Sequence, residues 1–244
     1  MPFFPFYVII VANLGGVAMN GVSIEFSQQE KDTILVRKKT RFLYQLIKRL
    51  FDILVSGLSL IVFSPIFLLI AILIRIDSKG KAFYKHKRIG KNGEIIYLYK
   101  FRSMYFDSKE RLDSMLKNPV IRKEWEENFK LENDPRITKV GKILRKTSLD
   151  ELPQLINILR GDMSIVGPRP VIENELEKYG EDKKKFLSVT PGLTGWWACN
   201  GRSCTSYEDR KKLELYYVEH RGIFLDLKIM FKTFISVIKG NGAK

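Results

Sequence analysis

The chain has 244 residues, enough to bury a sizeable core without disulfide bonds, and its 45% hydrophobic content excludes wholesale disorder. Its 42 Lys and Arg against 27 Asp and Glu leave a net charge of +15, which predicts an anionic partner: nucleic acid, a phosphorylated metabolite or an acidic lipid surface. With two cysteines and two widely separated histidines, a disulfide scaffold, a histidine-ligated metal centre and a Ser-His-Asp triad are not expected, so polar chemistry falls to carboxylates, Lys and Arg.

Residues 1–41 form an N-terminal segment to which no role is assigned. Residues 1–24 carry no charged side chain, so the basic region of a secretory signal is missing. A weak membrane segment and an upstream start with Met19 as the true initiator both stay open.

Residues 42–75 are predicted to be an interfacial lead-in followed by a membrane hairpin. Leu43–Asp52 is basic and amphipathic, as suits an anionic interface. Ile53–Ile74 carries no charge, but Ser64-Pro65 breaks it at the midpoint. Each half is a helix of about 11 residues and about 16 Å, roughly half the thickness of the hydrocarbon core.

The flanks of this apolar stretch are both strongly basic, and basic flanks prefer the cytoplasmic side. A re-entrant helix-break-helix hairpin satisfies both flanks at once, with the Ser64 hydroxyl satisfying a backbone group that Pro65 frees. A kinked spanning helix is the alternative, because membrane helices tolerate proline.

Residues 76–244 are predicted to be a cytoplasmic catalytic domain of amphipathic helices with a small β element. Alternation over 82–104 indicates two strands joined at Lys91-Asn92-Gly93. Residues 108–132 and Glu173–Leu187 are typical of exposed helices. Phe224–Lys239 has helical apolar spacing, which leaves a core-packing helix and a membrane anchor open. The predicted fold class is α+β, mainly α.

The densest stretch for chemistry is Lys142–Pro170. Ser148-Leu149-Asp150-Glu151 has the spacing of a capping box, in which Ser148 begins a helix. Pro153 then falls just beyond the positions where its missing N–H is harmless. A helix that begins at Leu149 or Asp150 avoids that conflict and places Asp150 at a helix N-terminus, directed outward.

An ionised Asp150 is competent as a nucleophile toward a phosphoryl group if nearby cations screen the repulsion between two anions. Arg145, Lys146, Arg160 and Arg169 are close in sequence, and a carboxylate pair can hold Mg²⁺. Arg169 lies between two prolines, which suits a phosphate clamp or a stiff turn equally well.

Several motifs in one order resemble the bacterial sugar transferases, the small monotopic phosphoglycosyl transferases of the polyprenol-phosphate type. The resemblance runs from about Leu43 to Lys239. The motifs are Lys48-Arg49-x-x-Asp52, Ser64-Pro65, Tyr99-Lys100-Phe101-Arg102-Ser103-Met104, Ser148 to Leu155, Gly161-Asp162-Met163-Ser164, Gly167-Pro168-Arg169-Pro170, Pro191 to Trp196 and Asn200-Gly201-Arg202.

The resemblance implies an enzyme of the bacterial cytoplasmic membrane that transfers a sugar 1-phosphate from a UDP-sugar to undecaprenyl phosphate and releases UMP, the first membrane step of glycan assembly. It implies that Asp150 forms a covalent phosphosugar intermediate, that Glu151 assists it, and that Mg²⁺ is bound at this pair. The implied phosphate-binding residues are Arg88, Lys100, Arg102, Arg145, Arg169 and Arg202. A homodimer is left open.

One loop departs from the family pattern Gly-Trp-Ala-Gln-Val-Asn-Gly-Arg, since this chain has Trp197-Ala198-Cys199 at its centre. The contacts that this loop makes to nucleotide or sugar are therefore in doubt. The transferase interpretation predicts no nucleic-acid partner. Two other classes of function compete with it. One is a membrane-anchored nucleic-acid binder, suggested by the charge and by aromatic residues among Lys and Arg in 82–102, and the other is a non-catalytic scaffold.

Overall fold

A computed structural model of the chain describes residues 17–19, 22–24, 28–128, 131, 134–201 and 205–238. The chain divides into two compact units, Met1–Ile47 and Lys48–Lys244. In chain order the strands and helices are β1 (Val17–Met19), β2 (Val22–Ile24), α1 (Gln28–Val62), α2 (Ser64–Asp77), β3 (Phe83–Ile89), β4 (Ile95–Phe101), α3 (Ser108–Met115), α4 (Pro119–Asn128), α5 (Lys139–Thr147), α6 (Gln154–Arg160), β5 (Ser164–Val166), α7 (Glu173–Glu177), α8 (Lys183–Leu187), β6 (Gly192–Thr194), α9 (Trp196–Asn200), α10 (Tyr207–His220) and α11 (Ile223–Ile238). The predicted fold class, mainly helical with small sheets, is confirmed.

The first unit contains a small antiparallel ribbon, in which β1 pairs with β2 and Val17 lies opposite Ile24. Helix α1 begins in this unit and continues to Val62. The sequence predicted no strands here, and most of the segment for which a membrane role was left open lies outside the described residues.

A sharp break separates α1 from α2. Pro65 has no N–H to donate to the carbonyl of Ile61, and the Ser64 hydroxyl donates to that carbonyl instead, at 2.8 Å. The break satisfies the freed backbone group as the sequence predicted. No single described helix is long and apolar enough to cross a bilayer, but Arg41–Val62 and Ser64–Asp77, bent by 61°, pass that test together by length and composition.

The predicted hairpin of strands 82–104 is confirmed. Strands β3 and β4 pair antiparallel, with Phe83 opposite Phe101 and Ile89 opposite Ile95. The turn passes through Asn92 (φ 56°) and Gly93 (φ 86°), two residue types that accept positive φ readily.

Strands β5 and β6 form a parallel pair that brings the Gly167-Pro168-Arg169-Pro170 motif beside the motif from Pro191 to Trp196. The Gly167 N–H donates to the Thr194 carbonyl and the Gly192 N–H donates to the Pro168 carbonyl, both at 2.8 Å. A Cβ at Gly167 or Gly192 would overlap the backbone of the opposite segment. Glycine, which has no Cβ, is therefore required on both sides of this junction.

The single exposed helix predicted over Glu173–Leu187 is wrong, because the segment is broken. Helix α7 stops at Glu177, and Gly180 (φ 53°) opens a 3-10 turn before α8. Tyr179 and Phe186 are buried against each other between the pieces, with ring centroids 4.1 Å apart. The burial of these two rings favours a break over one continuous exposed helix.

Helix α11 confirms the C-terminal helix and packs one face into the core. Ile229 is fully buried in a cluster with Tyr217 and Val218 of α10. Phe224, Phe231 and other apolar side chains on the remaining surface of α11 are exposed.

The base of the bent helix pair is part of the core of the second unit. Ile70 and Ile74 of α2 are buried with Phe101 of β4 and Leu144 of α5. The outward side chains of the pair, such as Leu58 and Leu68, are exposed.

Lys48 ties α1 to the C-terminal helices. Its ammonium lies 2.6 Å from a carboxylate oxygen of Asp226 in α11. The hydroxyl of Tyr217 donates to the other Asp226 oxygen at 2.8 Å. This ion pair is largely buried, since the two side chains are 15% and 10% exposed.

The other two residues of the Lys48-Arg49-x-x-Asp52 motif bind backbone groups. Arg49 donates to the carbonyls of Ile158 and Leu159 at the end of α6, where free carbonyls favour a cation. Asp52 accepts the N–H of Ile165 in β5 at 2.9 Å. The motif thus fixes α1 to three separate elements of its unit.

Candidate active site

The Asp150-Glu151 pair lies on a single 3-10 turn, Leu149–Glu151, between α5 and α6. Ser148 has φ 57°, and its N–H donates back to the Arg145 carbonyl, so it ends α5 and does not begin a helix. The capping-box interpretation is therefore wrong. The predicted start at Leu149 is that of the 3-10 turn, whereas the α-helix that follows, α6, begins only at Gln154, after Pro153.

Glu151 forms the closest charged contact of the turn. One of its carboxylate oxygens lies 2.6 Å from the ammonium of Lys100, and both side chains are mostly buried. The guanidinium of Arg169 lies 4.0 Å from the same oxygen. Three predicted site residues from separate parts of the sequence thus lie close together.

The part of β4 that precedes Lys100 is bound by Asn157, a residue that the sequence analysis did not single out. The Asn157 side chain accepts the N–H of Tyr99 at 2.9 Å and donates to the carbonyl of Tyr97 at 2.8 Å. It is fully buried and fastens β4 to α6, the helix that directly follows the Asp150 turn. The available signal was a polar residue between apolar pairs, Leu155-Ile156 and Ile158-Leu159, since such a residue needs buried partners.

Burial raises the pKa of Asp150, while the charges of Lys100 and Arg145 act in the opposite direction. Arg145 is oriented by Ser103, whose hydroxyl accepts its Nε–H at 2.9 Å. Asp150 is therefore a largely dehydrated carboxyl group whose raised pKa is opposed by two nearby cations.

A narrow cleft opens beside this turn. It is lined by Arg88, Lys100, Glu151, Gln154 and Arg169, together with the glycine junction of β5 and β6. The lining carries three cations and one carboxylate, which is the charge balance that a phosphate ligand needs.

Burial and this positive charge lower the pKa of two nearby groups, His86 and Arg88. Burial, with Arg88, Lys100 and Arg169 nearby, lowers the pKa of His86 to about 4, so this imidazole is neutral at pH 7. Burial and the charge of Arg169 lower the pKa of Arg88 to about 10. Arg88 therefore stays protonated at neutral pH.

Two acidic residues behind the cleft were not anticipated. Glu175 lies 3.9 Å from the Arg88 guanidinium and 3.4 Å from that of Arg210. Glu214 of α10 accepts the backbone N–H of Arg169 at 3.1 Å. Neither belongs to a local motif, since their partners are distant in sequence.

Arg102, one of the predicted phosphate ligands, does not join this group. The Arg102 guanidinium binds the carbonyls of Ser78 and Lys79, just beyond the end of α2. It occupies backbone acceptors and does not line the cleft. Arg202 lies outside the described residues.

The site offers two carboxylates to a metal ion, those of Asp150 and Glu151. Among the described residues, no group of three or more His, Cys, Asp and Glu side chains gathers as a metal cage. Mg²⁺ is often bound by one or two carboxylates together with substrate phosphate oxygens. Asp150 and Glu151 are carboxylates of this kind, and one Glu151 oxygen is already paired with Lys100.

Sequence comparison matches the chain to one protein family and to several relatives. The sequence model described as bacterial sugar transferase matches residues 43–240. The chain is 46% identical over 210 residues to an undecaprenyl-phosphate galactose phosphotransferase of Salmonella typhimurium, with 86% of this chain and 43% of that protein covered. It is 43% identical over 243 residues to a UDP-galactose-lipid carrier transferase of Erwinia amylovora, with 97% and 50% covered.

A third relative has a length closer to that of this chain. The exopolysaccharide production protein ExoY of Rhizobium meliloti is 47% identical over 197 residues, which cover 80% of this chain and 87% of that protein. The chain spans about half or less of the Salmonella and Erwinia proteins.

Proposed function

The chain belongs to the bacterial sugar transferase family, and we propose that it is a phosphoglycosyl transferase that moves a sugar 1-phosphate from a UDP-sugar to undecaprenyl phosphate and releases UMP. The observation that carries this proposal is the Asp150-Glu151 turn beside a cleft lined by Arg88, Lys100 and Arg169. Relatives named for undecaprenyl-phosphate and UDP-galactose lipid-carrier transfer support the two substrate classes.

In the proposed first step, a carboxylate oxygen of Asp150 attacks the phosphorus that carries the sugar. The bond from this phosphorus to the bridging oxygen breaks, and UMP leaves with the electron pair. In the second step, a phosphate oxygen of the lipid attacks the same phosphorus and releases the Asp150 carboxylate. No net proton is consumed, so the site needs cations more than it needs an acid.

The neighbouring residues have separate tasks in this scheme. Lys100, Arg145, Arg88 and Arg169 reduce the repulsion between the carboxylate and the phosphates. Glu151, paired with Lys100 at 2.6 Å, orients that cation. Asp150 and Glu151 would hold Mg²⁺ with the phosphate oxygens, and the ion would neutralise charge on the phosphates.

The function is tested by incubating membranes that contain the protein with undecaprenyl phosphate and a panel of UDP-sugars, and by scoring UMP. Release that depends on one sugar, on the lipid and on the chain supports the proposal. Absence of UMP with every donor contradicts it. Tight, salt-sensitive nucleic-acid binding by the detergent-solubilised protein would instead favour the nucleic-acid binder.

We further propose that the bent pair α1–α2 is a re-entrant hairpin in the bacterial cytoplasmic membrane, with the catalytic residues on its cytoplasmic face. The exposed apolar side chains on its outer surface, the satisfied break at Ser64-Pro65 and the basic residues on both flanks support this topology. The basic flanks suit an anionic membrane surface.

The topology predicts that cysteines placed before Leu50 and after Arg75 are labelled from the same, cytoplasmic side. In a chain with its native cysteines replaced by Ser, Gln45→Cys and Lys79→Cys should both react with an impermeant maleimide in inverted vesicles and resist it in intact spheroplasts. Phe63→Cys, at the bend, is the matched probe and should be protected in both. Labelling of the two flanks from opposite sides would establish a span and exclude the hairpin.

The acid limb of the pH profile should move when Lys100 is replaced. Asp150 must be ionised to attack, so activity falls as the pH drops through its pKa. Lys100 lowers that pKa, and Lys100→Met should therefore shift the limb of kcat/KM for UMP release to higher pH. Lys87→Met, on the exposed face of β3, is the control and should leave the limb in place. A limb that is identical in both variants would exclude Lys100 as a determinant of the charge on Asp150.

A further inference from the structure

Glu214 is an acidic residue buried beneath the cleft, with a relative exposure of 1%. One of its carboxylate oxygens accepts the Arg169 N–H at 3.1 Å. The other is buried and has no hydrogen-bond partner among the described residues. Burial of a carboxylate with one unsatisfied oxygen is costly, so its retention calls for a specific task.

The backbone around Arg169 makes that single hydrogen bond important. Pro168 and Pro170 have no N–H, so Arg169 carries the one backbone donor of this tripeptide. The Pro168 carbonyl is already used by the Gly192 N–H at 2.8 Å. Glu214 therefore fixes the segment from the side opposite to β6.

The Arg169 side chain points from this fixed backbone toward the reaction centre. Its guanidinium lies 4.0 Å from Glu151 and 5.9 Å from the centroid of the Trp197 ring. The two flanking prolines restrict the backbone of this segment. A change in the hydrogen bond to the Arg169 N–H therefore changes the position of the Arg169 guanidinium. We propose that Glu214 is a positioning residue that places the Arg169 guanidinium at the cleft through the Arg169 backbone; this inference rests on the proposed function.

The charge of Glu214 is set by the groups that face it. They are Arg169 from the β5–α7 loop, Arg210 from its own helix, and the hydroxyls of Tyr179 and Tyr207. Burial raises the pKa of Glu214 to about 7, although the Arg169 N–H and the charges of Arg210 and Arg169 oppose the shift. An ionised acceptor binds an N–H more strongly than a neutral one. The hold on Arg169 should thus weaken as the pH falls through neutrality.

A double-mutant cycle separates positioning from general stability. Glu214→Leu removes the acceptor and should lower kcat/KM for UMP release by about 10- to 100-fold. Arg169→Ala keeps the backbone N–H but removes the guanidinium, so in that background Glu214→Leu should have almost no further effect. Glu208→Gln, exposed on the same helix, is the control and should match the parent protein. An equal loss from Glu214→Leu in both backgrounds would overturn the proposal.

Glu214→Gln covers the case in which the leucine variant does not fold. The amide oxygen still accepts the Arg169 N–H but carries no charge, like the protonated acid. This variant should lose about 3- to 10-fold activity at pH 8, converge with the parent at pH 6 and lack the limb near pH 7. Activity equal to that of the parent at every pH would refute the role of the charge.

Binding of inorganic pyrophosphate, measured by calorimetry, supplies a readout without turnover. Glu214→Leu and Arg169→Ala should weaken it by similar factors that do not multiply in the double variant, whereas factors that multiply would overturn the positioning role. Absence of UMP release by the unsubstituted protein would count against the proposed function alone, because the coupling between Glu214 and Arg169 is still measured by pyrophosphate.

Discussion

Replacement of Asp150 with asparagine is expected to lower UMP release by about 10⁴-fold, because the amide cannot replace the carboxylate as a nucleophile. The asparagine side chain has nearly the same shape as that of aspartate, and Asp150 is the middle residue of a three-residue turn. The fold and the membrane association should therefore persist. The measurement is UMP released from the active UDP-sugar by membranes that contain equal amounts of each protein.

Two further measurements make the Asp150 result specific. Asp113→Asn, on the exposed face of α3, is the matched control and should retain full activity. With a donor labelled in the sugar-bearing phosphate, the parent should show protein-bound label before lipid is added, and Asp150→Asn should show none. Unchanged turnover in Asp150→Asn would sink the assignment of the nucleophile.

The second large effect concerns stability. Asp226→Ala is expected to lower the free energy of unfolding by about 3–5 kcal/mol, because it leaves the largely buried Lys48 ammonium without its carboxylate. It also removes the nearer of two acceptors of the Tyr217 hydroxyl, which keeps the Val166 carbonyl at 3.3 Å. The measurement is chemical unfolding of the purified protein in one detergent, followed by the fluorescence of its tryptophans.

An exposed ion pair is the appropriate control for this stability effect. Glu177 pairs with Lys183 and is 69% exposed, so Glu177→Ala should cost less than about 1 kcal/mol. Asp226→Asn should lie between the two, since it keeps an acceptor for Tyr217 but loses the charge. Equal losses for Asp226→Ala and Glu177→Ala would show that the buried pair does not hold α1 to α11.

Local patterns in the sequence were sufficient for much of the fold. Alternating residues and the Lys91-Asn92-Gly93 turn predicted the β3–β4 hairpin, and helical spacing predicted α11. The break at Ser64-Pro65, including the use of the Ser64 hydroxyl, followed from the chemistry of proline. In each case the determining interactions lie within a few residues along the chain.

The errors arose where tertiary contacts override a local pattern. Ser148 has the sequence of a helix cap, yet its positive φ closes α5. Arg102 belongs to a recognisable motif, but acceptors at Ser78 and Lys79 occupy it. These outcomes depend on which distant groups meet in space, which local spacing does not encode.

The site was predicted in part for the same reason. The resemblance selected Lys100, Glu151 and Arg169, which do converge. Asn157 and Glu214 act through buried hydrogen bonds to backbone groups of distant segments, so no short motif identified them.

The attachment of α1 through Lys48, Arg49 and Asp52 has a geometric consequence. These side chains fix the rotation of α1 about its own axis, since they bind α11, α6 and β5 at once. One residue inserted between Asp52 and the break at Ser64-Pro65 would rotate the part of the helix pair that follows the insertion by about 100°. The number of residues between Asp52 and the break, and not only their hydrophobicity, therefore determines which side chains lie on each face of the bent helix pair.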